Sequence, residues 1–399
     1  MIKENNIVEP VVNPVQIVTI KNKTPLFKGE EQANAIEKIE LEENGFSLVS
    51  QKDLYQIGDK AVYIQPDYSL SDIPLFDSFI RPFGEAKKSK LGSNFRIRAV
   101  KFNLHTGDYE PTFSVGILLP LKEVCESVPE FMSKDKSFAE SLGITKWEEP
   151  DNSNGIKTNG GNEFPSTIYK TDETNINNLW GHIENKIGYP IELIGTEKTD
   201  GSSISIIIEN GDITIGSRKL IKPWFINKVV GRRNPNLFER FMGLFGRKPD
   251  LLIREMVKNE DEFITLSKPY IDRIKEFYGD EIVNVSMVLR GEANGQSWKG
   301  SGNKNNPSSK NSANIKFFGV DSYQGVAVKM GEEHFNNLME ELKFERCKVV
   351  FRKIFNSKEE IQKECNDYFK TNLIEGIVIR TIDSRFSAKL MNDEYDSKK

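Results

Sequence analysis

Apolar and polar positions along residues 191–215 outline the mouth of a β-sheet. An apolar run at 191–194 leads into Glu197-Lys198-Thr199-Asp200-Gly201-Ser202-Ser203. β-Branched residues follow at Ile204, Ile206, Ile207 and Ile208, then Asn210-Gly211, then Ile213 and Ile215. Asn-Gly between two such runs is a strong hairpin signal. Lys198 is therefore expected at the end of a strand, beside a glycine that lets a ligand approach the backbone. Further strands are predicted at 283–290, running into Gly291-Glu292, at 315–321, and at 375–380 with Glu375 at its mouth. At 386–390 period two puts Phe386, Ala388 and Leu390 on one face, so Lys389 points the other way.

Residues 1–125 read as a small β-rich module, a barrel or sandwich. Strands are predicted at 15–20, 46–50, 61–65, 94–102 and 113–119, with turn signals at Gly58-Asp59, Pro66-Asp67 and Gly107-Asp108. Basic and apolar residues alternate over 95–101, giving a cationic face that either meets RNA or is simply solvated. Helical patterns are fewer. Asp172 is the expected N-cap of a helix burying Ile176, Leu179, Trp180 and Ile183. Residues 261–277 read as helical. Ser357-Lys358-Glu359-Glu360 opens a helix carrying Ile361, Cys365, Tyr368 and Phe369 on one face, which makes Cys365 a core residue.

At 399 residues, two domains are expected. The polar stretch 149–163, rich in Gly and Asn, is the clearest composition break and is read as a linker. Residues 222–258 mix Arg232, Arg233, Arg240, Arg247, Lys248 and Arg254 with aromatics. Such a mixture either grips a nucleic-acid backbone or forms an amphipathic helix with its Phe stripe inward. A net charge of −4 argues against a basic coat over the whole surface but leaves room for a local patch. Three cysteines without a CxxC pair exclude a disulfide framework and a zinc ribbon, and three histidines without HExxH make histidine-based hydrolysis or metal chemistry a poor fit. There is no Walker-type loop, no membrane-spanning apolar run and no signal-peptide core. A cytoplasmic protein is expected.

Taken in order, the strand-end pieces resemble the nucleotidyltransferase motifs of the covalent ligase and capping-enzyme superfamily. Lys198-Thr199-Asp200-Gly201 resembles motif I, Ser217-Arg218 motif Ia, and Arg290-Gly291-Glu292 motif III. Residues 317–321 look like motif IIIa, Glu375-Gly376 like motif IV, and Ser387-Ala388-Lys389 like motif V. More particularly, the chain is similar to ATP-dependent RNA ligases with an N-terminal OB module. That likeness rests on Gly58-Asp59-Lys60-Ala61-Val62-Tyr63-Ile64 with Pro66-Asp67, on 95–101, on Phe164-Pro165-Ser166, and on Lys170-Thr171-Asp172-Glu173 with Asn178-Leu179. Ten residues follow Lys389, so the OB-like part is expected in front. The chain departs from the family in the basic stretch 222–258, which reads as an insertion, and in having one motif V lysine where many relatives have two.

The resemblance implies an α+β fold: an OB-like, RNA-binding β-barrel over 1–148, the linker, and an ATP-grasp-like nucleotidyltransferase domain of antiparallel sheets with flanking helices over 164–399. It implies ATP-dependent sealing of RNA 3′-OH and 5′-phosphate ends in RNA repair, on nicked duplexes, by a monomer. Lys198 would be the nucleophile that carries AMP. Lysine is a poor nucleophile at its free pKa of about 10.4, so neighbouring cations, Lys389 and a Mg²⁺ or Mn²⁺ ion, are expected to favour its neutral amine. Asp200, Glu292 and Glu375 would gather round that hydrated ion, although Glu292 has the alternative of the ribose. Arg218 would hold ribose or phosphate, Phe318 or Phe317 would stack on adenine, and Glu197 belongs to the same ATP-binding set. The rival readings are an ATP-dependent DNA ligase and a non-catalytic OB-type RNA-binding protein.

Overall fold

The computed structural model describes residues 13–82, 89, 91–107, 111–147, 163–168, 173–234, 252–296, 298 and 306–397. The fold is mixed α/β and rich in strands. In the N-terminal part, β1 (Val15–Lys28), β2 (Glu31–Leu41), β3 (Ser47–Gln51), β4 (Lys60–Ile64) and β5 (Ile117–Pro120) form one sheet in the order β3-β2-β1-β4-β5. The sheet curls until its ends meet, where Val115 N–H donates to the Ser47 carbonyl at 3.0 Å. Val18, Ile20, Ile39, Leu48 and Tyr63 fill one side of this sheet, and Val62, Ile64, Phe76, Ile117 and Phe131 pack on the other.

Four sequence readings change here. The strand expected over 94–102 shrinks to Val100–Phe102, because Asn94 and Phe95 adopt left-handed φ values of 52° and 55°. The strand over 113–119 breaks at Gly116 into Thr112–Ser114 and β5. The expected N-cap Asp172 lies outside the described residues, as does most of the linker. Its helix is a chain of short turns, Ile176–Asn178, Trp180–His182 and Ile183–Ile187, capped by Asn175, whose side chain accepts from Asn177 N–H. Finally, the stretch 222–258 contains no helix among its described residues.

The C-terminal part holds two antiparallel sheets. The first consists of β6 (Ile191–Lys198), β15 (Val349–Phe355), β16 (Gly376–Thr381) and β17 (Ser387–Met391), in the order β15-β6-β16-β17. The second contains β7 (Ser202–Glu209), β8 (Asp212–Ser217), β9 (Ile221–Lys222), β12 (Ser286–Asn294), β13 (Asn314–Tyr323) and β14 (Ala327–Lys329), in the order β9-β8-β7-β12-β13-β14. A separate two-stranded ribbon, β10 (Phe225–Arg232) with β11 (Leu252–Lys258), leaves from β9. The Asn210-Gly211 hairpin between β7 and β8 is as read from sequence, with both residues at positive φ.

Helices cover the sheets where the apolar stripes predict. Helix α1 (Glu262–Tyr278) starts at Asp261, whose side chain accepts from Phe263 N–H, and buries Ile264, Ile271 and Ile274. With α2 (Glu332–Leu342) it covers Ile206, Ile215, Leu289 and Phe317 of the six-stranded sheet. Helix α3 (Lys358–Thr371), capped by Ser357, buries Ile361 and Cys365 against Leu193, Phe355 and Ile377 of the four-stranded sheet. A last short helix, α4 (Asp393–Asp396), follows β17.

Candidate functional site

The two C-terminal sheets are joined by the turn Thr199-Asp200-Gly201, which ends β6 and opens β7. Lys198 is the last residue of β6 and lies opposite Gly376 on β16. That register brings Glu375, one residue before β16, against Lys198, and Nζ donates to Glu375 Oε2 at 2.5 Å. Gly376 is needed for the approach: a Cβ there would stand 2.5 Å from the Leu390 carbonyl of β17. Gly201 does the same on the other side, where a Cβ would meet the Ala293 carbonyl at 2.3 Å. Glu292, facing Ser203 across the β7–β12 ladder, thereby joins the group.

Asp200 is buried and doubly held. Its Oδ2 accepts from the Tyr395 hydroxyl of α4 at 2.7 Å, and its carbonyl accepts from Asn306 Nδ2 at 2.9 Å. Lys389 sits on β17 opposite Val378, with its backbone N–H donating to Thr174 at 2.9 Å. Its mostly buried ammonium lies 4.0 Å from Asp67 of the N-terminal part.

These charges set one another's protonation. Burial pulls the Lys198 ammonium down, but Glu375, Glu292 and Asp200 outweigh it and hold its pKa well above the ordinary lysine value. Cations were expected to favour the neutral amine of Lys198. The charges nearest Lys198 are carboxylates, and they act against the effect expected of Lys389; the expected divalent ion would act on those same carboxylates. Lys389 is the lysine held below its ordinary value, by burial with the charge of Lys198 behind it and against the pull of Asp67. The Glu292 carboxyl is pushed up to about 8 by burial, and by Glu375, Asp200 and Glu173, against the pull of Lys198.

Among the described residues no group of three or more His, Cys, Asp and Glu side chains is arranged to hold a metal ion directly. Asp200 and Glu375 instead turn an oxygen each to Tyr395 and Lys198. The donor set nevertheless fits a hydrated hard cation. It is all oxygen, and the raised Glu292 marks uncompensated negative charge that such a cation would relieve.

The adenine-stacking alternative divides cleanly. Phe317 is fully buried, stacked on Phe344 with centroids 5.1 Å apart and edge-on to Tyr270, so it is a core residue and unable to stack on a base. Phe318, one step along the pleat, is half-buried and has the Arg380 guanidinium 5.9 Å over its ring. Arg218 is exposed just past Ser217, at the same end of the six-stranded sheet as Ser202 and Ser203. Glu197 is not brought to the cluster. Its carboxylate accepts from the Tyr368 hydroxyl at 2.6 Å and pairs with Lys348 at 3.5 Å, on the face of β6 opposite Lys198.

Sequence reasoning missed Arg380, Tyr395, Asn306 and Asp67 as neighbours of the site. Arg380 donates to Thr196 Oγ1 at 3.3 Å and lies 3.9 Å from Glu173. Period two along β16 would have found Arg380, which shares a face with Val378. The others arrive from loops and α4, with no local signature.

The RNA ligase family model matches residues 191–391, a span that contains Lys198, Glu292, Phe318, Glu375 and Lys389. No curated protein sequence matches the chain. Solved structures of an RNA ligase from Naegleria gruberi share the fold. A mutant of it with AMP and Mn superposes with a TM-score of 0.65 at 21% identity, over 97% of this chain and 98% of that one. A second mutant, with ATP and Mn, gives 0.66 at 21% identity over 97% and 99%. The same ligase with PPi gives 0.64 at 21% identity over 96% and 98%. With the family match spanning just over half of its length, and the clustered charges within that span, the chain belongs to the RNA ligase family.

Proposed function

We propose that the protein joins RNA 3′-OH and 5′-phosphate ends with ATP, through an adenylylated Lys198. The observation that carries this reading is the convergence of Lys198, Glu292, Glu375, Asp200 and Lys389 at the junction of two sheets. The Naegleria ligase of the same fold has been solved with ATP, AMP and PPi, the substrate and the two released products of such a reaction sequence.

In the first step Lys198 Nζ forms a bond to the α-phosphorus of ATP and the bond to the bridging oxygen breaks, releasing pyrophosphate. The ammonium must first lose its proton, and the Glu375 carboxylate at 2.5 Å is placed to take it. An RNA 5′-phosphate oxygen then displaces Lys198 from the adenylyl phosphorus. Finally the 3′-OH attacks the activated 5′-phosphate and AMP leaves. Lys389, mostly buried on β17, is placed to offset charge on the α-phosphate. Asp200, Glu292 and Glu375 would hold a hydrated Mg²⁺ or Mn²⁺, which supplies charge neutralisation at the phosphates. Phe318 supplies the adenine platform, and Arg218 a ribose or phosphate contact.

The N-terminal part is read as the OB-like RNA-binding domain, with the boundary at 149–163. Its curled five-stranded sheet supports that reading. Three free cysteines and no helix long and apolar enough to cross a membrane among the described residues are compatible with a cytoplasmic monomer engaged in RNA repair on nicked duplexes.

Incubation with α-labelled ATP and Mg²⁺ should label the protein, and Lys198→Ala should abolish the label. Undiminished label in that variant would overturn the assignment.

A further inference from the structure

The ribbon formed by β10 and β11 does not contribute to the charge cluster around Lys198, and its composition is unlike the rest of the chain. The described residues 222–234 and 252–258 carry six Lys and Arg against one Glu, although the whole chain has 55 against 59. The described ribbon and its root are thus basic in an otherwise acidic protein.

The described strands are also unusually bare. Phe225 is 54% exposed and Met256 73%, and Val230, Leu252 and Ile253 are exposed with them. The cations Arg232 and Lys258 lie on the same exposed strands as these apolar side chains, and Arg233 follows directly after β10 and is exposed too. The ribbon is a two-stranded sheet on its own, and such a sheet is marginal in water without a covering partner. Its root, in contrast, is fixed. Trp224 Nε1 donates to the Ile213 carbonyl at 2.9 Å, Asn259 Nδ2 donates to Pro223 at 2.8 Å, and Lys222 pairs with Asp261 at 3.0 Å. A rigid base with an apolar, cationic blade is a built arm rather than a stray loop.

We propose that this ribbon is an RNA-contacting arm that lies along the sugar–phosphate backbone of the strands being joined. Charge selects the partner: the arm is basic where the body is acidic, so it suits a polyanion and repels a second copy of itself. The other basic stretch legible in the sequence, 95–101, is engaged at Arg96 and Lys101. Arg96 pairs with Asp67 at 2.5 Å and lies over the Trp147 ring, and Lys101 pairs with Glu394 at 2.7 Å. A-form RNA offers a wide, shallow minor groove bordered by phosphates. A ribbon can cross it with cations on the phosphates and apolar side chains against the sugars. An exposed Phe225 adds a stacking face for an unpaired base near the break. The inference rests on the ligase reading for its choice of RNA.

The test uses the full chain with Arg232→Glu, Arg233→Glu and Lys258→Glu combined, and separately Phe225→Ser with Met256→Ser. Both are measured for affinity to a short nicked RNA duplex over a salt series. The triple variant should bind at least tenfold more weakly, with a salt slope shallower by about two to three. The apolar pair should lose affinity with an unchanged slope. Labelling of Lys198 by ATP should stay at the wild-type level in both, which separates this inference from the ligase reading itself. Wild-type RNA affinity and slope in the triple variant would overturn the proposal. So would a ribbon whose substitutions abolish binding to phosphatidylserine vesicles, or self-association by light scattering, while leaving RNA affinity intact.

Discussion

Glu292 has opposite consequences for stability and for chemistry. Its carboxyl is raised from 4.5 to about 8 by burial and by neighbouring carboxylates. Between those values the folded chain keeps a proton that the unfolded chain has released. Stability is therefore highest at low pH and falls as pH climbs through that window, and the cost is complete above about 8. Removing the charge removes the cost. In metal-free buffer at pH 8.5, Glu292→Gln should be more stable than wild type by about 1–2 kcal/mol, a discounted share of the ~1.4 kcal/mol that each pKa unit represents. At pH 5 the two should melt together, and adenylylation of the variant should drop at least tenfold. A variant that melts below wild type at pH 8.5 would show that Glu292 is a structural carboxylate whose partners compensate it. At this scale the sequence was most readable for the placement of side chains carried by a strong strand pattern, as for Lys198, Glu292, Glu375 and Lys389. It was least readable for side chains arriving from elsewhere, such as Tyr395 on Asp200. The pull of Glu375, Glu292 and Asp200 on Lys198 was not legible, because a sequence lists cations and carboxylates without their distances.

The strands around the site approach more closely than side chains permit, which makes glycine a structural requirement there. Gly376 pairs with Lys198 on one side and with Met391 on the other. Gly376→Ala would press a Cβ on the Leu390 carbonyl, 2.5 Å away, and only backbone movement relieves that contact. Overpacking of this kind costs about 1–3 kcal/mol. Because β17 carries Lys389, the displacement should also lower adenylylation by more than tenfold; urea midpoints and label transfer report the two effects. An unchanged rate of label transfer would mean that the placement of Lys389 does not depend on this close pairing. Elements with clean periodicity, such as β6, β7 and α3, were legible. β2 was overlooked because Glu31-Gln32-Ala33-Asn34-Ala35 has no apolar alternation and is held by its neighbours β1 and β3. The ribbon at 222–258 was open to a helical reading because aromatic and basic residues recur there without a clear period of two. Phe95 gives no hint of a left-handed φ, since that conformation is imposed by its surroundings.

Across the whole molecule, the N-terminal and C-terminal parts share a network that ends on the charge cluster around Lys198. Ala99 N–H donates to Asp396 of α4 at 2.9 Å, and Lys101 pairs with Glu394 of the same helix at 2.7 Å. The next residue back from Asp396 is Tyr395, whose hydroxyl holds Asp200. Asp67 meets Arg96 at 2.5 Å and Lys389 at 4.0 Å, and Gln65 accepts from Asn178 at 2.7 Å. If the N-terminal module serves only to engage RNA, its removal near residue 150 should spare adenylylation and impair sealing. These contacts predict otherwise. A chain lacking the first 147 residues loses the partners of α4 and the carboxylate beside Lys389, so its labelling of Lys198 should fall at least tenfold. Since a truncated chain can fail for trivial reasons, Asp396→Asn in the full chain is the sharper test. It keeps an acceptor for Ala99 N–H but removes the charge facing Arg96, 3.8 Å away. Label transfer should slow about three- to tenfold, within the 0.5–1.5 kcal/mol typical of one polar contact. RNA affinity should be unchanged, because the curled sheet and the ribbon are untouched. Full-rate labelling by both variants would mean that the two parts touch without coupling, and that Asp200 is held by Tyr395 independently of what grips the other side of α4.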